Sequence, residues 1–315
     1  MKIAIITPAA AGSRSGNRHT AQRWAAMLRA AGHRVKVATE WDGATCNVML
    51  ALHARRSHAS VLRYRQAYPE GRLVVVLTGT DLYRDVRYDD DAQQSMKLAQ
   101  RLVVLQEQGL RELPRQLRAK TRVVYQSALA PPRTAPPKSI FRVCMLGHLR
   151  EEKDPFRPAL ALKLIAPAER IELLHLGEAM TPAMALQAKA LMAAEPRYRW
   201  LGGLPHARAL RWLASSHLMV ISSRMEGGAN VIAEAACAGV PVLASDISDN
   251  VGMLGSSYPG YFPLGDEEAL AKLLLKVMHH QAYYQSLKRG VAARRYLFRP
   301  QGERASLARL LRELD

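Results

Sequence analysis

The chain has 315 residues, 49% of them hydrophobic, and carries 45 Lys and Arg against 27 Asp and Glu, a formal net charge of +18. This length predicts two domains, and the apolar fraction excludes a chain too polar to bury a core. The charge favours polyanionic or phosphorylated partners, but the excess is scattered in short pairs such as Arg55-Arg56 and Arg294-Arg295, without a helix-turn-helix, zinc-finger or RNA-recognition signature, so nucleic acid is the weaker reading.

Short apolar, β-branched runs predict buried parallel strands over Ile3 to Thr7, Val35 to Thr39, Val48 to Leu52, Leu73 to Thr78, Leu102 to Leu105 and Arg122 to Tyr125. Between the first two, Ala21, Trp24, Ala25 and Leu28 recur at helical spacing, and the helix stops at Gly32. Alternating strand and helix predicts right-handed crossovers and a doubly wound sheet, whose ligands sit at the carboxyl ends of the strands. Three loops follow such ends. Ala9 to His19 holds Arg14, Ser15, Gly16, Asn17 and Arg18 at a helix start, a place for a small oxyanion. Leu52 to Ser57 supplies His53 and Arg55, and Thr78 to Asp85 supplies Thr78, Thr80 and Asp81. Taken alone, His53 could be a satisfied strand-end histidine and Asp81 a turn or helix cap.

Ser127 to Ser139 contains four prolines and no periodicity and reads as a linker, centred on 131–139, between a domain over 1–130 and one over 140–299. The second series of strands is predicted at Phe141 to Leu146, Ile171 to Leu176, Tyr198 to Leu201, Leu218 to Ile221 and Pro241 to Ala244. Helices follow over Glu267 to His279, Tyr283 to Leu297 and, past a bend at Pro300, Ser306 to Leu314; residues 300–315 could pack back on the first domain. Cys46, Cys144 and Cys237 are odd in number, far apart and set in predicted strand or helix interiors, which reads as reduced thiols in a cytoplasm. Met1 to Ala11 is too short for a signal peptide, and no run is long and apolar enough to insert in a membrane.

The most informative stretch is Met225 to Ser245. Gly227 and Gly228 predict a tight loop able to approach a ligand, and the helix beginning near Ala229, Asn230 and Val231 presents unpaired N–H groups, a phosphate site. Glu226 before the glycines and Glu234 one turn into the helix suit sugar hydroxyls better than phosphate, which a carboxylate repels. A nucleotide-sugar offers both kinds of group. In Gly147 to Pro155, Arg150 and Lys153 lie three apart after a glycine turn and could neutralise a diphosphate. No His/Cys cluster has metal-ligand spacing, and no cofactor or bound metal is expected.

The spacing E-x7-E with an Asn-Val helix start, followed by A-G-V-P-V-L-A-S, resembles the donor-site signature of the GT-B glycosyltransferases of family four. G-H-L-R-E-E-K-D-P resembles the G-R-L-x-x-x-K-G stretch of that family, with His148 where the family has Arg and Asp154 where it has Gly; Leu201 to Pro205, including Gly203 and Leu204, resembles its nucleobase loop. The resemblance implies an α/β chain of the GT-B type, two doubly wound Rossmann-like domains facing a central cleft. It gives Lys153 the diphosphate role and implies a donor site over Gly147, His148, Arg150, Lys153, Gly203, Leu204, Glu226 to Val231 and Glu234.

The opening I-T-P-A-A-A-G-S-R-S-G-N-R-H-T-A, with A-L-H-A-R-R-S, L-T-G-T-D-L-Y-R-D and G-H-L-R-E-E-K-D-P-F-R, resembles the selenosugar synthases of selenoneine biosynthesis. That resemblance implies attack of selenophosphate on the anomeric carbon of a UDP-sugar, UDP-N-acetylglucosamine or UDP-glucose, releasing UDP and giving a 1-selenosugar once phosphate is lost. Arg14, Arg18 and Arg55 suit a small, multiply charged acceptor, and an anionic selenium needs no base. An alcohol acceptor would need one, and His53 or Asp81 would then be the candidate. Three other readings stay open: a conventional glycosyltransferase acting on a hydroxyl, a sugar-nucleotide epimerase, and a noncatalytic binder of anions or nucleic acid.

Overall fold

A computed structural model describes residues 1–12, 15–132 and 134–314. The chain divides into two compact units: Met1–Gln126 with Glu226–Gly228 and Pro300–Asp315, and Ser127–Met225 with Ala229–Arg299.

The first unit is built on a parallel sheet of β1 Lys2–Ile6, β2 Arg34–Ala38, β3 Val48–Leu52, β4 Arg72–Val76, β5 Arg101–Val104 and β6 Thr121–Val123. Their order is β2-β1-β3-β4-β5-β6, so the winding reverses between β1 and β3 and opens a crevice over the carboxyl ends of those two strands. β3 is buried throughout, as its unbroken apolar run requires. The helix Gly16–Ala30 buries Thr20, Ala21, Trp24, Ala25 and Leu28 on one face. Ser15 caps it by accepting from the N–H of Arg18 at 3.4 Å, and Gly32 lies just beyond its end at φ +85°, a conformation that favours glycine.

The last helix, Pro300–Arg312, belongs to this unit and contributes Leu307, Leu310 and Leu311 to its core. It begins six residues earlier than the sequence pattern predicts, because Pro300 occupies its first position, where a missing N–H costs nothing, instead of marking a bend. Glu303, buried, ties it down: it accepts from the indole N–H of Trp24 at 2.7 Å and from Nε of Arg23 at 3.0 Å.

The second unit holds β7 Phe141–Leu146, β8 Ile171–Leu176, β9 Tyr198–Trp200, β10 Leu218–Ile221, β11 Val242–Ser245 and β12 Tyr261–Phe262, all parallel, in the order β12-β11-β10-β7-β8-β9. Here the reversal falls between β7 and β10, so the loop 147–156 after β7 and the residues 222–225 after β10 border the crevice. β12, two residues before Pro263, is too short for a period-2 signal and is absent from the sequence expectation. The helix expected over Tyr283 to Leu297 runs Gln281–Arg294 and tightens into a 3₁₀ turn, Arg295–Phe298. Cys46 lies ahead of β3 rather than inside an element; Cys144 and Cys237 are buried in β7 and the helix Asn230–Ala238, and burial pushes the Cys144 thiol up to about 12. Among the described residues no helix is long and apolar enough to cross a membrane.

Candidate active site

In the second unit the loops after β7, β8 and β10 are stitched into one platform. The loop after β7 turns at Gly147, whose carbonyl accepts from Nε2 of His175 at 3.0 Å. His175 lies in β8 and is fully buried; its Nδ1 faces the Tyr198 hydroxyl at 3.0 Å. With Nε2 donating, Nδ1 accepts the hydroxyl proton, so the imidazole is neutral, and burial holds its pKa down at about 4. Gly177 has no room for a β-carbon, which would overlap the Gly147 carbonyl. The N–H of Leu149 donates to the carbonyl of Glu178 at 2.8 Å, and that of Glu178 to Nδ1 of His148 at 3.1 Å.

The turn then descends through Glu151–Lys153 to Asp154, which is left-handed at φ +42°. This is the position at which the resemblance expects glycine, and the backbone explains why. Asp154 sustains the conformation through its side chain, which accepts from Nε of Arg157 at 2.9 Å; Arg157 is also bonded to Glu267. The hydroxyl of Ser222 donates to the Asp154 carbonyl at 2.8 Å, and the N–H of Arg224 to the Glu152 carbonyl at 2.9 Å. Lys153 is half-buried with its stem beside Gly147, whereas Arg150 is exposed.

The helix Asn230–Ala238 starts at Ala229, which supplies no side-chain cap, and no acid stands in its first turn, so the positive end of the helix dipole lies where Asn230 and Val231 begin it. Gly239 ends it at φ +74°. Glu234 is buried one turn in, and its Oε1 accepts from Nε2 of His206 at 2.7 Å. Gly203 lies against the side chain of Glu178, which a β-carbon would overlap; Leu204 follows it.

The first unit holds the other candidates. Ser15 and Gly16 open the first helix, with Asn17 and Arg18 in its first turn; Arg14 lies outside the described residues. Asp81 is fully buried, and its carboxylate organises two loops: Oδ1 accepts from the N–H groups of Thr78 and Gly79, each at 2.9 Å, and Oδ2 from that of Ala54 at 2.9 Å. β4 therefore ends at Val76, short of the predicted Thr78, and Asp81 opens one wide helical turn, Asp81–Asp85. His53 sits after β3 at φ +74°, buried, with Nε2 3.1 Å from the Thr80 hydroxyl, while Nδ1 accepts from the N–H of Arg56 at 3.3 Å. Burial lowers its pKa, so it too is neutral at pH 7. Arg55 is paired with Asp85 at 3.1 Å.

Glu226, Gly227 and Gly228 group with this unit. A β-carbon on Gly227 would overlap the Thr78 backbone, and one on Gly228 would press on Leu105. The two glycines are thus required by the close approach of the protein's own strand ends, not by a positive φ. Sequence reasoning did not single out His175, Tyr198, Glu178, His206 or Arg224. Of these only His206, a polar residue directly after the Gly-Gly-Leu-Pro loop, carried a local signal.

Residues 141–280 match a protein-family model described as Glycosyl transferases group 1. The structure is similar to that of sucrose-phosphate synthase from Thermosynechococcus elongatus, with a TM-score of 0.81 at 17% identity, over 99% of this chain and 98% of that one. The fold is GT-B. HepE of Anabaena, solved with UDP and glucose, gives 0.79 at 15% identity over 99% of this chain and 100% of that one. A glycosyltransferase from Rickettsia africae gives 0.75 at 13%, covering 99% and 98%. No curated protein matches the sequence. The GT-B assignment agrees with the fold expected from the donor signature, and residues 141–280 span the second sheet and the loops at its switch point.

Among the described residues no group of three or more His, Cys, Asp or Glu could hold a metal ion.

Proposed function

We propose that this protein is a UDP-sugar-dependent glycosyltransferase that transfers N-acetylglucosamine or glucose to selenophosphate. The helix start at Ala229 to Val231, with Lys153 and Arg150, neutralises the departing UDP. Glu234 accepts from the ribose hydroxyls and Glu226 from the donor sugar. Selenium attacks the anomeric carbon with a lone pair, the carbon–oxygen bond to UDP breaks, and UDP leaves with the electron pair. Hydrolysis of the phosphorus–selenium bond then gives the 1-selenosugar and phosphate.

The observation that favours this acceptor over an alcohol is the state of the two side chains an alcohol would need. Both Asp81 oxygens are engaged by backbone N–H groups, and both His53 nitrogens are occupied. An acceptor that arrives as an anion makes no demand on them. The nearly full-length resemblance to selenosugar synthases supports the same acceptor.

The test is UDP release from UDP-N-acetylglucosamine and UDP-glucose with selenophosphate, with phosphate and without acceptor, following the sugar product by mass. Selenophosphate-dependent release with a selenium-bearing sugar is the expected result. UDP-sugar binding without that product moves the acceptor to a hydroxyl compound, and conversion of the sugar without acceptor identifies an epimerase. Anion binding with steep salt dependence and no turnover would leave the noncatalytic reading.

A further inference from the structure

Glu234 and His206 form a pair whose halves face different surroundings. The carboxylate side chain is 11% exposed and the imidazole 57%, at an Nε2 to Oε1 distance of 2.7 Å. A buried carboxylate is costly unless a donor compensates it, and His206 is well placed to do so. His206 is the first residue of the helix His206–Ala214 and follows Pro205, whose ring fixes the backbone torsion just before it. Nε2 is the ring nitrogen that faces the carboxylate, which can only accept, so it carries the proton of this hydrogen bond.

We propose that His206 is a positioning residue for the nucleotide: it fixes the plane of the Glu234 carboxylate so that the remaining lone pairs meet the two hydroxyls of a ribose. This rests on the reading of Glu234 as the ribose acceptor. A carboxylate has about four acceptor sites. The imidazole takes one and stops rotation of the group, leaving Oε2 and the second lone pair of Oε1 for a vicinal cis-diol. A free carboxylate would have to lose that rotation on binding. The device reads ribonucleotides specifically, since a deoxyribose presents one hydroxyl and cannot use both oxygens.

Isothermal titration of UDP and 2′-deoxy-UDP into the wild type, His206→Ala, His206→Gln and Glu234→Gln tests this. The wild type is expected to prefer UDP about tenfold. His206→Ala should lose about tenfold for UDP and little for 2′-deoxy-UDP, so that the preference collapses. His206→Gln, whose amide N–H can reach the same oxygen, should regain most of it. Glu234→Gln should lack the preference whatever stands at 206. A merely structural residue would weaken both nucleotides alike. Unchanged affinity and preference in His206→Ala overturns the role of His206 alone, as does tighter UDP binding, which would mean that the imidazole occupies the sugar's place. A wild type that binds neither nucleotide overturns the donor-site reading itself and this inference with it.

Discussion

His175 offers a direct test of how the donor platform is held. Its pKa is about 4 in the folded protein against an ordinary value of 6.5, because the ring is fully buried; the N–H it lends to the Gly147 carbonyl pulls the other way and is outweighed. In the unfolded chain the same ring titrates normally. Between these two values the unfolded state binds the extra proton, so stability rises with pH through the window and is lost as pH falls below the unfolded pKa. The full window is worth about 3 kcal/mol, and about 2 kcal/mol is lost between about pH 7.5 and about pH 5. For a unit of this size that is a fall in Tm of about 4–8 °C. His175→Gln keeps an N–H for Gly147 and an acceptor for Tyr198 but does not titrate. Melting curves of both proteins over this range should show the variant somewhat less stable at neutral pH and less sensitive to acid by about 2 kcal/mol. Groups that titrate in both proteins cancel in the difference. Parallel curves would refute the reasoning, since they would mean that His175 takes up its proton without loss of either hydrogen bond.

Glu226→Gln and Lys153→Ala should each lower kcat about a hundredfold while the melting temperature holds, measured as UDP release; near-normal rates in both would remove the donor-site assignment. Asp81→Asn puts an NH₂ group against N–H donors and should destabilise the first unit by about 2–3 kcal/mol in a thermal melt. A loss of activity with unchanged stability would instead mark Asp81 as a base. Asp154→Gly should be more stable than Asp154→Ala by about 1 kcal/mol, because both lose the bond to Arg157 but only glycine escapes the left-handed penalty. Glu303→Ala leaves the Trp24 indole and Arg23 without their buried acceptor and should cost about 3 kcal/mol, seen in denaturation and in faster proteolysis near Arg299.

The parts of the fold legible in the sequence are those with a local cause. Val48–Leu52, Phe141–Leu146, Ile171–Leu176 and Leu218–Ile221 coincide with their predicted strands residue for residue, because each predominantly apolar run ends where the strand does. Gly239 was equally legible, since a left-handed stop and Pro241 announce themselves. What was hidden depends on partners far along the chain. His175 reads as one polar interruption in a buried strand, and nothing local says that Gly147 and Tyr198 wait at its two nitrogens. Asp81 reads as an ordinary turn acid until Ala54, 27 residues earlier, closes its second oxygen. Gly227 and Gly228 were legible as glycines but not for their reason, because the Thr78 backbone and the Leu105 side chain that exclude a β-carbon come from elsewhere in the chain.

His53 and His175 share a design that bears on the chemistry. Each follows or lies in an interior strand of its own sheet, is buried and has a lowered pKa, and spends both ring nitrogens on framework bonds. A histidine so placed cannot accept a substrate proton without first breaking a bond that shapes a loop, so its ordinary usefulness near neutral pH is given up for rigidity. The pH dependence of turnover should therefore lack the acid limb of a histidine base. kcat measured rapidly after dilution from neutral pH into about pH 6 should stay within about twofold of its neutral value, because neither ring gains a catalytic proton there. Prolonged incubation near pH 5 should then erode activity in step with the loss of folded protein, as the unfolded chain takes up protons that the folded one refuses. A prompt and reversible fall of kcat, tracking one group near pH 6.5, would show an imidazole acting as base and would favour a hydroxyl acceptor over an anionic one.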